Sequence, residues 1–339
     1  VKSLNHAGIR AGFLSSLVLM LFLVSANGTI WLATIFSGAS VPGLMGSALL
    51  AWTFGLRHAL DADHIAAIDV VTRRLMAREQ RPILVGLFFS LGHSSVVILA
   101  TLALILLPFH SWLEQWHAVG GAIGASVSIA FLLVMATANT LTACTQWRQM
   151  KAGKEIISGP TGLLSRLFSS VTALIRADHQ MFALGFLFGM GFDTATEIGL
   201  LSLTTSEIGH GLTPMQIMLL PLLFTAGMAL MDSLDTVLMV RAWSWSAGST
   251  RRRARYTFAV TALSATAAGT VALIELAQTA SDHGRLPDCL RNAVDAAGDY
   301  FPLIGSGIVC GFLALWGAAA FRAARSPCHA KDSLTDQIH

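Results

Sequence analysis

Residues 57–65 read RHALDADHI, with one arginine, two histidines and two aspartates in nine positions. On either side lie LLAWTFGL (49–56) and the largely apolar AAIDVV (66–71). Ionisable groups at this density inside a greasy segment need partners. What they partner depends on whether the segment lies in water or in lipid.

Composition answers that. The chain has 339 residues, of which 54% are hydrophobic and 12% charged, with a mean hydropathy of +0.64. Soluble domains carry about 25% charged residues, so too few charges are present to cover a water-facing surface. Several apolar runs reach the ~20 residues needed to cross a hydrocarbon core of about 30 Å. The chain therefore reads as an all-α polytopic membrane protein, since a transmembrane barrel needs short alternating segments instead. The four cysteines, Cys144, Cys289, Cys310 and Cys328, show no C-x-x-C spacing, which gives neither a zinc knuckle nor a disulfide framework.

Eight spans are expected, at about 13–36, 43–71, 83–107, 118–142, 181–205, 214–240, 256–279 and 299–321, forming one transmembrane domain over 1–339. The run LVLMLFLVSA (17–26) looks like a signal-peptide core, but TIWLATIF (29–36) continues the apolar stretch, so a retained span is expected. With both termini in the cytoplasm, 19 of the 22 basic residues fall on inner segments, two (Arg285 and Arg291) lie outside, and Arg57 sits in the membrane. That asymmetry sets the orientation. The inner loop 144–180 repeats Leu163, Leu164, Leu167, Phe168, Val171, Leu174 and Ile175 at helical spacing, which predicts an amphipathic helix on the inner leaflet. No loop is long enough for a catalytic domain, and no P-loop is present, so neither an enzyme nor an ATP-driven pump is expected. Nothing points to nucleic acid or to an obligate protein partner.

The polar residues of the core concentrate in four spans. The second holds Arg57, His58, Asp61, Asp63, His64 and Asp69; the third holds SLGHSSVV (90–97), centred on His93. The fifth holds GFDTATEI (191–198), with Asp193 and Glu197; the sixth holds GMALMDSLDTV (227–237), with Asp232 and Asp235. Each ionisable group at the bilayer centre costs at least about 2.5–3.5 kcal/mol, so these side chains must face one another, water or an ion. At 1.5 Å per residue, His64 and His58 lie roughly 13 and 22 Å in from Arg73, His93 roughly 18 Å from Arg81, and Asp232 roughly 13 Å from Arg241. They share a layer near the midplane, where transporters hold substrate.

On a helical wheel His58, Asp61 and His64 fall within an arc of roughly 120°, joined by Arg57, while Asp63 points roughly 140° from His58. Either Asp63 has a separate task or the helix opens locally, which membranes tolerate where backbone lines a cavity. Asp193 and Glu197 share a face, as do Met228, Asp232 and Asp235. Imidazoles with carboxylates form a ligand set suited to Ni, Co, Zn or Cu, and the acids offset a dication's charge. The plainer reading makes each histidine a satisfied core group and Arg57 with Asp61 a neutralising pair. Asn139 and Glu275 read as interhelical hydrogen-bonders.

These segments together resemble the nickel/cobalt transporter family, the nickel permeases. RHALDADHI resembles its second-span signature, a His-x4-Asp-His core that falls here on His58, Asp63 and His64. LGHSSVV (91–97), GFDTATEI (191–198) and GMALMDSLD (227–235) resemble the other three signatures, in order. Leu60 departs from the family's usual Val or Phe and bears on the choice between nickel and cobalt; Ser233 stands where Thr is common. Asn27 matches a first-span Asn of the family and stands as a supporting residue with Arg57 and Leu60. The resemblance implies eight spans, cytoplasmic termini, the inner membrane of a prokaryote, and ATP-independent uptake of Ni²⁺ or Co²⁺ as cargo, with no resident cofactor. It implies metal ligation by the core His58, Asp63 and His64; with the groups that wheel and depth bring to the same layer, Asp61, His93, Asp193, Glu197, Asp232 and Asp235, these are the candidate metal residues.

FFSLGHS (88–94) and LFTAGMA (223–229) match in Phe, hydroxyl and Gly positions while lying on oppositely directed spans, which reads as an inverted repeat relating spans two to four with five to seven. Gly92 and Gly227 in these segments are expected to let helices approach closely. Two rival functions fit part of the pattern. His-x4-Asp at 58–63 also suits a membrane acyltransferase, whose base belongs at the interface rather than some 20 Å deep. A metal exporter of related type shares the core but tends to carry a His-rich inner loop, and 144–180 has only His179.

Overall fold

The computed structural model describes residues 6–38, 43–78, 80–106, 110–152, 175–190, 200–201, 203–204, 206, 212–245, 250–282, 287, 290–291, 294 and 300–324. Among these no strand occurs. The α-helices are α1 (His6–Gly38), α2 (Leu44–His58), α3 (Ala62–Ala77), α4 (Val85–Leu106), α5 (His110–Lys151), α6 (Met181–Gly189), α7 (Pro214–Trp245), α8 (Thr250–Asp282) and α9 (Phe301–Ala324). A 3₁₀ turn, Asp178–Gln180, leads into α6.

Five segments are long and apolar enough to cross a membrane: Leu14–Ser37, Val85–Leu106, Ala122–Lys151, Pro214–Arg241 and Phe258–Ser281. Helix is the natural state for such runs, because every backbone donor and acceptor is satisfied within the segment. Their hydroxyls are hidden in the same way. Thr34, Thr140, Thr142 and Thr225 each donate to the carbonyl four residues back, at 2.7–2.8 Å.

The expected second span is two helices. α2 ends at His58 and α3 begins at Ala62, so the break falls within the ionisable stretch. Its amides remain bonded: Ala59 N–H to Gly55, Leu60 N–H to Arg57 and Asp61 N–H to His58 carbonyls, at 2.9–3.2 Å. α3 then continues to Ala77, past the expected end near 71. The helix of the expected fourth span, α5, likewise runs on to Lys151, taking in the first part of the expected inner loop; residues 153–174, and with them most of the amphipathic pattern, lie outside the described residues.

α7 is the central post. It packs against α1, α2, α3 and α4, while α5 pairs with α8 and α4 with α6. Its buried Leu220, Leu223, Phe224 and Met228 form one core with Leu44, Ala48 and Ala51 of α2 and Val96 and Val97 of α4. A second core joins Ile65 and Ala66 of α3 to Leu132 of α5 and Ala268, Val271 and Ala272 of α8. α3 is thereby held between α7 and α8, and its N-terminal end faces α4.

Glycines set the closest approaches. A Cβ on Gly92 would lie 2.0 Å from the Phe182 carbonyl oxygen, and one on Gly86 would lie 2.2 Å from that of Asp232. A Cβ on Gly305 of α9 would lie 1.7 Å from the Leu60 carbonyl oxygen, so α9 seats directly against the break.

Candidate metal centre

The break brings two histidines of one span together. His58 closes α2 and His64 lies in the first turn of α3, with ring centroids 4.5 Å apart. His93 of α4 completes the group, 4.8 Å from the His58 ring and 4.7 Å from the His64 ring. One ligand atom from each of the three lies within 4.8 Å of the others, and all three side chains are buried. Phe89 stands edge-on to His64 at 4.9 Å and Phe224 lies 5.6 Å from His58, so aromatic walls keep water from the rings.

Acids fix the imidazoles. Asp61 occupies the N-cap position of α3, where a carboxylate would ordinarily accept from the helix's first amides. Its side chain makes no cap bond. Instead Oδ2 accepts from Nδ1–H of His58 at 2.9 Å, which leaves the His58 Nε2 lone pair facing the cluster. That Nε2 lies 2.9 Å from Nε2 of His93. Two imidazole lone pairs at this distance repel unless a proton or a cation sits between them. Nitrogens bound to a common ion at about 2.0–2.1 Å each are themselves roughly 3 Å apart.

His64 is oriented from α7. Its Nδ1 is 3.4 Å from Asp232 Oδ2, and the Ser90 hydroxyl, 2.6 Å away, donates to the same oxygen. The Gly86 N–H donates to Thr236 Oγ1 at 3.0 Å, locking α4 to α7 one turn along. A carboxylate behind His58 and another behind His64 fix the tautomers of these two rings and strengthen them as ligands.

The remaining predicted residues are distributed as follows. Asp63 is half-buried and outside the three-histidine group. Arg57 is exposed and makes no ion pair with Asp61 among the described residues; the neutralising pair considered for them is replaced by the bond from His58. Leu60 lies in the break against α9. Asp235 is half-buried one turn beyond Asp232. Asp193 and Glu197 lie outside the described residues. Asn27 is a bracket between helices: its amide donates to the Leu23 and Ala226 carbonyls at 2.9 and 3.0 Å and accepts from Trp52 Nε1 at 2.9 Å. Glu275 accepts from Ser128 at 2.7 Å, an interhelical bond as expected. Ser90 and Gly305 did not stand out in the sequence. Ser90 sits three residues before His93, on the same helix face, which was the available signal.

A chain that is helical throughout its described residues, with five helices of membrane length, is a multi-pass membrane protein, and its three buried imidazoles form a group that could hold a metal ion. Its relatives sharpen that class. The family profile described as high-affinity nickel-transport protein matches residues 44–321. The high-affinity nickel transport protein of Cupriavidus necator is 38% identical over 312 residues, covering 88% of this chain and 89% of that one. The cobalt transport protein NhlF of Rhodococcus rhodochrous is 39% identical over 238 residues, covering 66% and 67%. The high-affinity nickel-transport protein NixA of Helicobacter pylori is 36% identical over 269 residues, covering 74% and 80%. No solved structure matches. This chain belongs to the high-affinity nickel-transport protein family.

Proposed function

We propose that this protein is a secondary transporter that takes up Ni²⁺, with Co²⁺ as a second cargo, across the inner membrane of a prokaryote. Its eight spans run with both termini in the cytoplasm, and spans two to four and five to seven form an inverted repeat. The ion is held near the midplane by His58, His64 and His93, backed by Asp61 and Asp232. Asp63, Asp193, Glu197 and Asp235 serve the route to and from that site. The observation that carries this reading is the meeting of three buried imidazoles at a helix break, each within reach of the others. Imidazole nitrogens favour nickel and cobalt over the all-oxygen cations, and relatives are named for nickel and for cobalt transport.

Each element has a task. The break frees His58 and His64 from the fixed angle that one continuous helix would impose. The carboxylates at Asp61 and Asp232 let a dication leave water without its full desolvation cost. An inward-negative potential contributes about 2.3 kcal/mol per charge per 100 mV, twice that for a dication, and needs no ATP.

The test is ⁶³Ni²⁺ uptake in cells that lack their own nickel importer, with membrane insertion verified. The native chain raises internal nickel, and His58→Ala and His93→Ala return it to background. Normal uptake by inserted variants removes the site. A fall in internal nickel on expression of the native chain replaces uptake with efflux.

A further inference from the structure

Beyond the histidine cluster, on the side towards the basic end of α3, lies a second set of buried charges. Asp69 is 1% exposed and Arg73 is 8% exposed. The Arg73 guanidinium Nη2 is 2.7 Å from Asp69 Oδ2, and Ser264 of α8 donates to the same oxygen. Asp69 Oδ1 is shielded from solvent and has no hydrogen-bond partner among the described residues. Across from it on α7, Asp235 Oδ2 is likewise shielded and without a partner. Asp235 lies within electrostatic reach of both Asp69 and Asp232.

Two features make this more than a structural ion pair. The first is charge. Among the described residues Asp69 and Asp232 are buried carboxyls, half-buried Asp235 adds a shielded Oδ2, and the buried Arg73 guanidinium stands against them, in a region where an uncompensated charge is costly. The second is direction. Asp69 is five residues past His64 along α3, and Asp235 three past Asp232 along α7. These steps are roughly 7 and 5 Å along helices that both lead away from the cluster towards arginines. The carboxyl oxygens left without donors thus form a layer one step further along the same two helices that frame the histidines.

We propose that Asp69 and Asp235 form a second, transient station for the transported dication, and that Arg73 fills it as a resident cation until the metal arrives. The proposal rests on the transport reading above and adds to it a path out of the histidine site. The incoming ion displaces the guanidinium from Asp69, and the arginine's return closes the way behind the departing ion. The oxygen-only station binds nickel or cobalt more weakly than the imidazoles, as release requires.

The experiment pairs uptake with binding. Asp235→Asn and the double variant Asp69→Asn/Arg73→Gln are reconstituted in lipid nanodiscs and loaded with Co²⁺, whose visible absorption reports imidazole ligation. In proteoliposomes the same variants are assayed for ⁶³Ni²⁺ transport. Both are expected to keep native Co²⁺ absorption and stoichiometry while transport falls roughly tenfold or more. The double variant removes carboxylate and guanidinium together, so no charge is stranded. If Asp69 serves only to neutralise Arg73, this variant transports like the native protein, and the station is overturned. Native transport by Asp235→Asn overturns it too, as does loss of the imidazole absorption in either variant, which makes these residues part of the first site. Failure of the native protein to transport Ni²⁺ at all falls on the transport reading instead.

Discussion

His58 and His93, from helices that share no sequence proximity, face each other through their Nε2 atoms at 2.9 Å. Two bare lone pairs at that distance repel, so the contact holds either an N–H that one neutral ring donates to the other or the ion proposed for this site.

The acid behind His58 is Asp61, although Asp63 occupies the aspartate position of the His-x4-Asp-His core. Asp61→Asn weakens the support of the imidazole and is expected to raise the KM for Ni²⁺ uptake about tenfold, within the usual range for outer-shell partners of metal ligands. Asp63→Asn, half-buried and outside the cluster, is expected to change KM less. Uptake kinetics of the two variants, measured at matched membrane levels, decide the matter. A larger KM change for Asp63 than for Asp61 reverses the assignment.

Gly305 supports the break from outside. Its replacement by Ala would put a methyl group 1.7 Å from the Leu60 carbonyl oxygen, whereas a Cβ on Gly307 meets nothing within 4 Å. Gly305→Ala should lose roughly 1–3 kcal/mol through overpacking and misalign His58 against His64. Gly307→Ala should behave as the native chain. Thermal unfolding in detergent and Ni²⁺ uptake are read side by side, and equal behaviour of the two variants contradicts the role given to α9.

Asn27 ties α1 to α2 and α7 through two hydrogen bonds, from Trp52 Nε1 and to the Ala226 carbonyl. Asn27→Ala strands the Trp52 indole N–H and is expected to cost roughly 1–3 kcal/mol, lowering the melting temperature while leaving the KM for nickel near native. A large KM change at unaltered stability would make Asn27 part of the metal path.

Imidazole binds metal only when neutral. Protons and Ni²⁺ therefore compete for the same nitrogens, and protonated rings repel the ion and one another. Uptake is expected to fall several-fold between about pH 7 and about pH 5. The profile is to be measured in proteoliposomes at fixed membrane potential. Rising uptake over that interval contradicts a site of neutral imidazoles.

Much of this was legible along the chain. The deficit of charge and the long apolar runs decide for a helical membrane protein, because lipid offers the backbone no hydrogen bonds and the chain must supply its own. Counting at 1.5 Å per residue puts His58, His64 and His93 at similar depth, and their rings do meet. Asp63 lies outside the three-histidine group, but the wheel that set it apart from His58 assumes one continuous helix, and the chain breaks between the two residues.

Other features were invisible there. No Pro or Gly marks the break at 59–61; its position is set where Asp61 gives up capping to bind His58. Ser90 on Asp232, Gly305 on Leu60 and Ser264 on Asp69 join residues of different helices. Sequence fixes how deep a side chain lies and roughly which way it points from its own axis. Only the packing of helices decides the rotation of each about that axis and hence which neighbour it meets. For this protein the first sufficed to place imidazoles and carboxylates at a common depth in the apolar spans. The second decided which acid serves which histidine, since that depends on distances of a few ångströms between axes that no single helix specifies.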